Sequence, residues 1–535
     1  MTKRYPGITA EAPISRSRRR FMIGTAGLGA FAATMPISHA IWASNNSTVR
    51  VRARADLDTL DPAFYQNTWN IDAMSCLYSK LIRFKPSQAE WEWELEAAES
   101  IEQVDDTHIR FRLREGIMFT NGYGEMTAED VKFSLERVLD HDSPVKGDLD
   151  ALDHVEVEDD YTGVIVLERP FAPIWNVALP WGVGHIVSRD AVMEKTGDGS
   201  SFGMEPPAFS GPYILEEWRP DERARLVPNP DYTGPDPASL DEIRIIPMGD
   251  RSSAETAYEA GDIDYTLISL STLGAYRQTP PADTAVEEFP SSFYYWIGMN
   301  TDNPALQDIN VRRAVQWAID INQILALAFH GEAEPATGLI APGLLGHREQ
   351  SLIPPEGDVD RAREYLEEAG VSDLQLRVDT LNDPEWRAMA EVLQAQLGRI
   401  GIDVSINVRE AGEFWTIGME DEGDQWQDVQ IVLNRFAMAP DPYYATQWFT
   451  TEQVGVWNWE RFSNEEFDQL NREAVTETDE ERRAEMYRRM QEIMEESGAY
   501  RFMTHGTWPV VYRESKFEAA HLPDGQPRYR FFESV

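Results

Sequence analysis

Two stretches of the chain have the residue types and spacing of reaction chemistry. Gly199-Ser200-Ser201-Phe202-Gly203 has Gly-x-Ser-x-Gly spacing, which presents a serine for acyl transfer when a strand enters the turn and a helix leaves it. Here the helix-like SRDAVMEK precedes and MEPPAF follows. Ser201 is therefore expected in a loop, and a periplasmic hydrolase using it is the alternative from another functional class. The second stretch, FTNGYGEMTAEDVKFSLERVLD, sets two glycines before a helix start at residues 119–140, as phosphate-cradling turns do. Thr127 is a good N-cap there, and Glu129 and Asp130 put negative charge in the first turn, where a phosphate would be repelled. No Gly-Lys-Ser/Thr follows, so the stretch reads as capped scaffold. The nine histidines are scattered and Cys76 is the single cysteine; no zinc site, internal disulfide or cofactor is expected.

Binding chemistry is better placed in two other segments. Tyr65, Asn67 and Trp69 follow LDPA, and LNRFAMAPDPYYATQWF carries Asn434, Arg435, Asp441, Tyr443 and Trp448. Both mix polar and aromatic side chains in a way that helical packing does not explain. Trp and Tyr are as often half-buried packing residues, and Asp441 is a ready partner for Arg435.

The composition narrows what such segments could bind. A chain of 535 residues, 42% hydrophobic and 11% aromatic, is a folded protein of about three domains. Its net charge of −44 repels nucleic acid and anionic membranes. The acid is scattered, so it reads as a solubilising surface. The N-terminus differs: SRSRRRFMIGTAGLGAFAATMPISHA is basic, then small and apolar, then small-x-small, the region order of a signal peptide. Ser17-Arg18-Arg19-Arg20-Phe21-Met22 resembles the twin-arginine export motif. Cleavage is expected after Ala40, with no cysteine there for a lipid anchor, and a Gram-negative periplasm is the expected address.

The elements that position these residues alternate between strand and helix. Val49–Arg54 alternates as a strand, IDAMSCLYSKLIRF reads as a helix, and HVEVEDDYTGVIVLERP as a hairpin. SGPYILEEWRPDERARLVPNPDY is a strand pair, and residues 285–300 form an aromatic extended run suited to crossing between domains. Beyond it NVRRAVQWAIDINQILALAFHG and DPEWRAMAEVLQAQLGRIG read as helices alternating with the strands LQLRVDT and IDVSINVRE. The class is mixed α/β, without internal repeats.

LREGIMFTNGYGEMTAEDVKFSLERV resembles the signature of the family 5, peptide/nickel-type solute-binding proteins of ABC importers. SGPYILEEWRPDERARLVPNPDY, AYEAGDIDYTLIS, INVRRAVQWAID and NWERFSNEEFDQL follow in that family's order. The resemblance implies a two-lobed periplasmic-binding-protein clamshell, class II-like and three-domain. It places lobe I at 44–85, 186–285 and 501–535, an inserted subdomain at 86–185, and lobe II at 286–500. It also implies a monomer that captures a peptide or other small solute and delivers it to ABC permease subunits in the inner membrane; the Arg18-Arg19 motif, separately, makes the twin-arginine translocase the expected export partner. Both aromatic-polar segments match family loops that line the cleft. Many peptide-binding members carry an aromatic residue and, three positions on, an acid that pairs with the peptide's amino terminus. Aligned on Asp441-Pro442, those positions are Arg435 and Met438. A methionine cannot neutralise an ammonium, whereas Arg435 could hold a carboxylate bidentately. A non-peptide solute (an opine-like acid, a sugar conjugate or chelated nickel) is therefore the alternative ligand.

Overall fold

A computed structural model of the chain describes residues 8–9, 47–87 and 90–535. The expected export segment, residues 1–40 with its cut after Ala40, lies outside them apart from Ile8 and Thr9. Among the described residues no helix is long and apolar enough to cross a membrane.

Two large sheets organise the molecule. The first has seven strands in the order Ala285–Pro290, Thr507–Tyr512, Tyr265–Leu267, Thr48–Ala53, Glu242–Pro247, Arg223–Pro228, Tyr213–Arg219. Thr48–Ala53 runs parallel to Glu242–Pro247 and to Tyr265–Leu267. On Thr48–Ala53 the two-residue period separates Val49, Val51 and Ala53, which enter the larger apolar core, from Arg50 and Arg52. The second sheet has five strands in the order Asp403–Arg409, Gln375–Leu381, Ile431–Ala437, Phe293–Met299, Tyr500–Thr504. Helix Pro384–Gly398 joins its parallel pair as a βαβ crossover. Strand Phe293–Met299 is buried on both faces: Tyr295, Ile297 and Met299 enter one apolar cluster, Tyr294 and Trp296 another.

A third sheet orders Ile8–Thr9, Ala98–Asp105, His108–Leu113, Thr162–Leu167 and Leu152–Val157. Helix Ala128–Asp140 packs on it. Its start is held by the Asp130 carboxylate: the Thr127 N–H and hydroxyl both donate to Asp130 Oδ2, at 2.8 and 3.0 Å. Asp130 Oδ1 accepts the Arg189 N–H at 2.9 Å, so the glycine turn leads into an end already filled by its own carboxylate.

Two elements differ from the sequence expectation. IDAMSCLYSKLIRF is a helix only over Thr68–Leu77, and Ile82–Phe84 is a strand paired with Trp93–Leu95. Tertiary pairing overrides the local helical pattern there. The long run NVRRAVQWAIDINQILALAFHG is two helices, Ile309–Ala318 and Ile321–Ala328. Asp320 caps the second by accepting the Gln323 N–H at 3.1 Å.

The chain passes between the two large sheets twice. It leaves the first at Ser291 and Ser292, rather than at residue 286, because Ala285–Pro290 pairs with Thr507–Tyr512. It returns at His505 and Gly506 rather than at 501, because Tyr500–Thr504 pairs with Phe293–Met299. The crossings touch: the Ser291 hydroxyl donates to the His505 carbonyl, and His505 Nδ1 lies 3.1 Å from the Phe293 carbonyl. Burial pulls the His505 imidazole down to about 4, so the crossing is uncharged at neutral pH. Gly506 has φ 75°, a left-handed turn that lets the strand change sheets.

Candidate functional site

Beside these crossings a cavity of about 460 Å³ opens between the two sheets. Strand Thr48–Ala53 and its exit bring Arg52 and Arg54 to it, helix Arg251–Ala260 brings its first residue, and strand Ile431–Ala437 brings Arg435 from the other side. Trp508 on strand Thr507–Tyr512 and Trp386 on helix Pro384–Gly398 wall it from opposite sides, and Asp383 and Glu385 at the start of that helix supply the acids.

The arginines differ from their neighbour Arg50, whose guanidinium is held by both Asp264 oxygens at 2.8 Å. Arg52 donates to the carbonyls of Met248 and Gly249 at 2.8 and 3.1 Å. Arg54 sits 4.2 Å from the Trp508 ring centre. Arg435 donates to the Tyr295 hydroxyl at 3.2 Å and lies 4.5 Å from the Phe293 ring centre. None of Arg52, Arg54, Arg251 and Arg435 makes an ion pair among the described residues. Arg54 is open to solvent, yet enough protein surrounds its guanidinium to pull the pKa down to about 10. Burial is the main cause, and the Arg251, Arg435 and Arg52 charges add to it. Burial likewise raises the Glu385 carboxyl, with Arg251 pulling against it and Asp383 reinforcing it. Asp383 is partly committed, accepting the Glu385 and Trp386 N–H groups at 2.9 and 3.4 Å. Guanidiniums brought without an ion pair from both sides of a cavity can hold an anion, above all a carboxylate gripped bidentately.

Of the residues expected from the sequence, Arg435 alone lines this cavity. Asp441 does not line this cavity: it is fully buried and accepts Arg483 Nη1 and Nη2 at 2.8 and 2.7 Å, so its ion-pair partner is Arg483 and not Arg435. Asn434 is buried, its Oδ1 accepting the Arg435 N–H at 2.8 Å. Trp448 donates to the Tyr444 carbonyl at 2.7 Å and lies edge-on to Trp457. Asn67 donates to Asp58 at 2.8 Å and Trp69 to the Asp56 carbonyl at 3.2 Å, both within their own loop and helix start. Tyr443 packs against apolar clusters of both lobes. Met438 is 5% exposed, in the cluster around Trp296. Ser201 is an exposed loop residue whose hydroxyl accepts the Gly203 N–H at 3.2 Å. The helix before it ends at Thr196 and the next regular element is strand Tyr213–Arg219, so no elbow forms.

Sequence reasoning missed Arg52, Arg54 and Arg251. For Arg52 and Arg54 the signal was present in Arg50-Val51-Arg52-Ala53-Arg54, where two cations share one face of a strand whose other face is core and a third follows at its exit.

Tyr65 has a different place, at a junction between lobes. Its hydroxyl donates to Asp148 Oδ2 at 3.3 Å, while the Tyr444 hydroxyl donates to Asp148 Oδ1 at 2.6 Å. Burial pushes the Asp148 carboxyl up to about 6, although both hydroxyls pull it down. A carboxyl raised by enclosure stabilises the closed form when protonated and loses that contribution as pH rises through about 6. Closure, followed by small-angle scattering, is therefore expected to tighten from pH 7 to pH 5. The expected change is on the order of 1 kcal/mol for the part of the shift that depends on closure. Asp148→Asn should flatten this dependence; an unchanged profile in the variant would assign it to other groups.

Two sheets joined by paired crossings, with a charged cavity between them, define a protein that encloses a small solute. The family profile described as bacterial extracellular solute-binding proteins, family 5, matches residues 92–456. The chain belongs to that family. It is 26% identical over 88% of its length, and 90% of the relative's, to "Probable D,D-dipeptide-binding periplasmic protein DdpA" of Escherichia coli (strain K12). It is 27% identical to di/tripeptide-binding protein 2 of Pseudomonas aeruginosa (strain UCBPP-PA14), over 89% of this chain and 92% of that one. Its fold matches that of HbpA2 from Haemophilus parasuis with a TM-score of 0.78 at 22% identity, covering 91% of this chain and 100% of that one.

Proposed function

We propose that this protein captures a small, carboxylate-bearing solute of di- or tripeptide size between its lobes and presents it to ABC permease subunits without altering it. The observation that carries this reading is the cavity of about 460 Å³ in which four arginines from both lobes face two acids. Its size lies in the range of small-ligand sites. The names of the dipeptide- and tripeptide-binding relatives support a peptide. Asp383 and Glu385 offer the ammonium of such a zwitterion a counter-charge that Met438, buried in the core, does not. Met438 also favours the second reading, a non-peptide acid lacking a free amine. Binding proceeds by closure about the crossings at 291–292 and 505–506, and the protein works as a periplasmic monomer exported through the twin-arginine route.

Mass spectrometry of solute co-purifying from the native host, followed by calorimetry with that compound, tests the assignment. A recovered anion or zwitterion, returned chemically unchanged after incubation, is the expected result. A neutral sugar would overturn the ligand class. Steady consumption would bring back the hydrolase, with Ser201→Ala as the next variant. For export, Arg18→Lys with Arg19→Lys is expected to hold precursor in the cytoplasm in a fractionation blot; normal periplasmic delivery would point to the general secretory route.

A further inference from the structure

A second cavity between the lobes, of about 690 Å³, shares no lining residue with the arginine cavity, although Pro440 on the Arg435 segment borders it. Its character is opposite. Three half-buried tryptophans, Trp91, Trp93 and Trp175, come from the side of the third sheet. Trp93 and Trp175 are stacked, with ring centres 5.5 Å apart and planes 17° apart. Trp175 is fixed by donating its indole N–H to Gln103 Oε1 at 2.9 Å. A stacked indole pair left half-exposed on a cavity wall is a platform whose negative π-faces attract a cation.

The charges around the platform agree with it. Glu102, Glu349 and Glu480 line the cavity and make no ion pair among the described residues. Glu477 reaches Arg482 at 3.2 Å. Among the described residues no lysine lines the space, and Arg483, the single arginine in its wall, is neutralised by both oxygens of Asp441. In a chain with 92 acidic residues exposed carboxylates alone would say little. Here they surround an aromatic platform in an enclosure of ligand size. We propose that this cavity is a second binding site, taking a small organic cation such as an alkylammonium. The wall comes from both lobes, so the cation would be bound in the closed form. The inference does not rest on the anionic-solute reading of the first cavity.

Calorimetry of the full chain with choline, against its uncharged isostere 3,3-dimethylbutan-1-ol, tests it. Choline is expected to bind at least about tenfold more tightly than the isostere, the scale of a partly desolvated cation–π contact. Trp175→Ala should weaken choline at least about tenfold, and Glu102→Gln with Glu349→Gln and Glu480→Gln about threefold or more. Thermal unfolding of each variant checks that it remains folded, and Trp175→Phe, which keeps a ring, should recover part of the affinity. Arg435→Gln should leave choline binding unchanged. Equal affinity for the isostere, or no effect of Trp175→Ala in folded protein, would overturn the site. A loss of choline binding in Arg435→Gln would overturn its separateness from the arginine cavity.

Discussion

Replacing Arg435 by glutamine is expected to lower affinity for the recovered solute by roughly 30- to several-thousand-fold, equivalent to about 2–5 kcal/mol. Arg435 makes no ion pair among the described residues, and its visible polar partner is the Tyr295 hydroxyl at 3.2 Å. Its guanidinium is already fixed by the aromatic rings of Phe293 and Tyr295, so little side-chain freedom is lost when an anion arrives. Glutamine keeps the length and a donor but removes the charge and the bidentate fork. Arg54→Gln should act in the same direction from the other lobe. Arg50→Gln should leave affinity nearly unchanged, because Asp264 already neutralises that guanidinium. Calorimetry on the three variants separates these cases. Affinity for Arg435→Gln within about threefold of wild type, under 1 kcal/mol, would remove Arg435 from the site and return neutral solutes to the front.

Asp441→Ala is expected to destabilise the fold by about 3–5 kcal/mol, the usual consequence of leaving one partner of a buried ion pair uncompensated. Burial works against the Arg483 charge, and the Asp441 carboxylate is what outweighs it. Without that carboxylate, Arg483 keeps the Tyr487 hydroxyl at 3.0 Å and the Ala474 carbonyl at 2.7 Å, neither of them charged. Asn176, reaching Asp441 Oδ2 across the lobes at 3.4 Å, loses an acceptor as well. Denaturant unfolding gives the stability and calorimetry the affinity per folded molecule. A large drop in stability with affinity held within about threefold is the expected pattern. Unchanged stability with lost affinity would return Asp441 to the ligand.

The order of elements was legible in the sequence because it rests on local regularities. Alternation marked strand Thr48–Ala53 and the pair Tyr213–Arg219 and Arg223–Pro228. The Thr127–Asp130 cap is complete within four residues of chain. The many ordered motifs set the family, which the match over residues 92–456 now shows. Arg435 stood out because its position departs from the family's pattern.

The site itself was decided by tertiary structure. Asp441 lies near Arg435 in sequence, but its partner is Arg483, which only the packing of helix Glu480–Glu496 against the 441 segment brings within 2.7 Å. The arginine cavity draws on residues from 52 to 509. Whether each guanidinium is free or engaged depends on which carboxylate or carbonyl the fold sets beside it: Arg50 found Asp264, Arg52 found two carbonyls, and Arg54 found the Trp508 ring. A one-dimensional pattern records that these side chains share a face. Which of them meets an opposite charge depends on long-range strand pairing and on the approach of the second lobe, and those distances exist only in the folded chain.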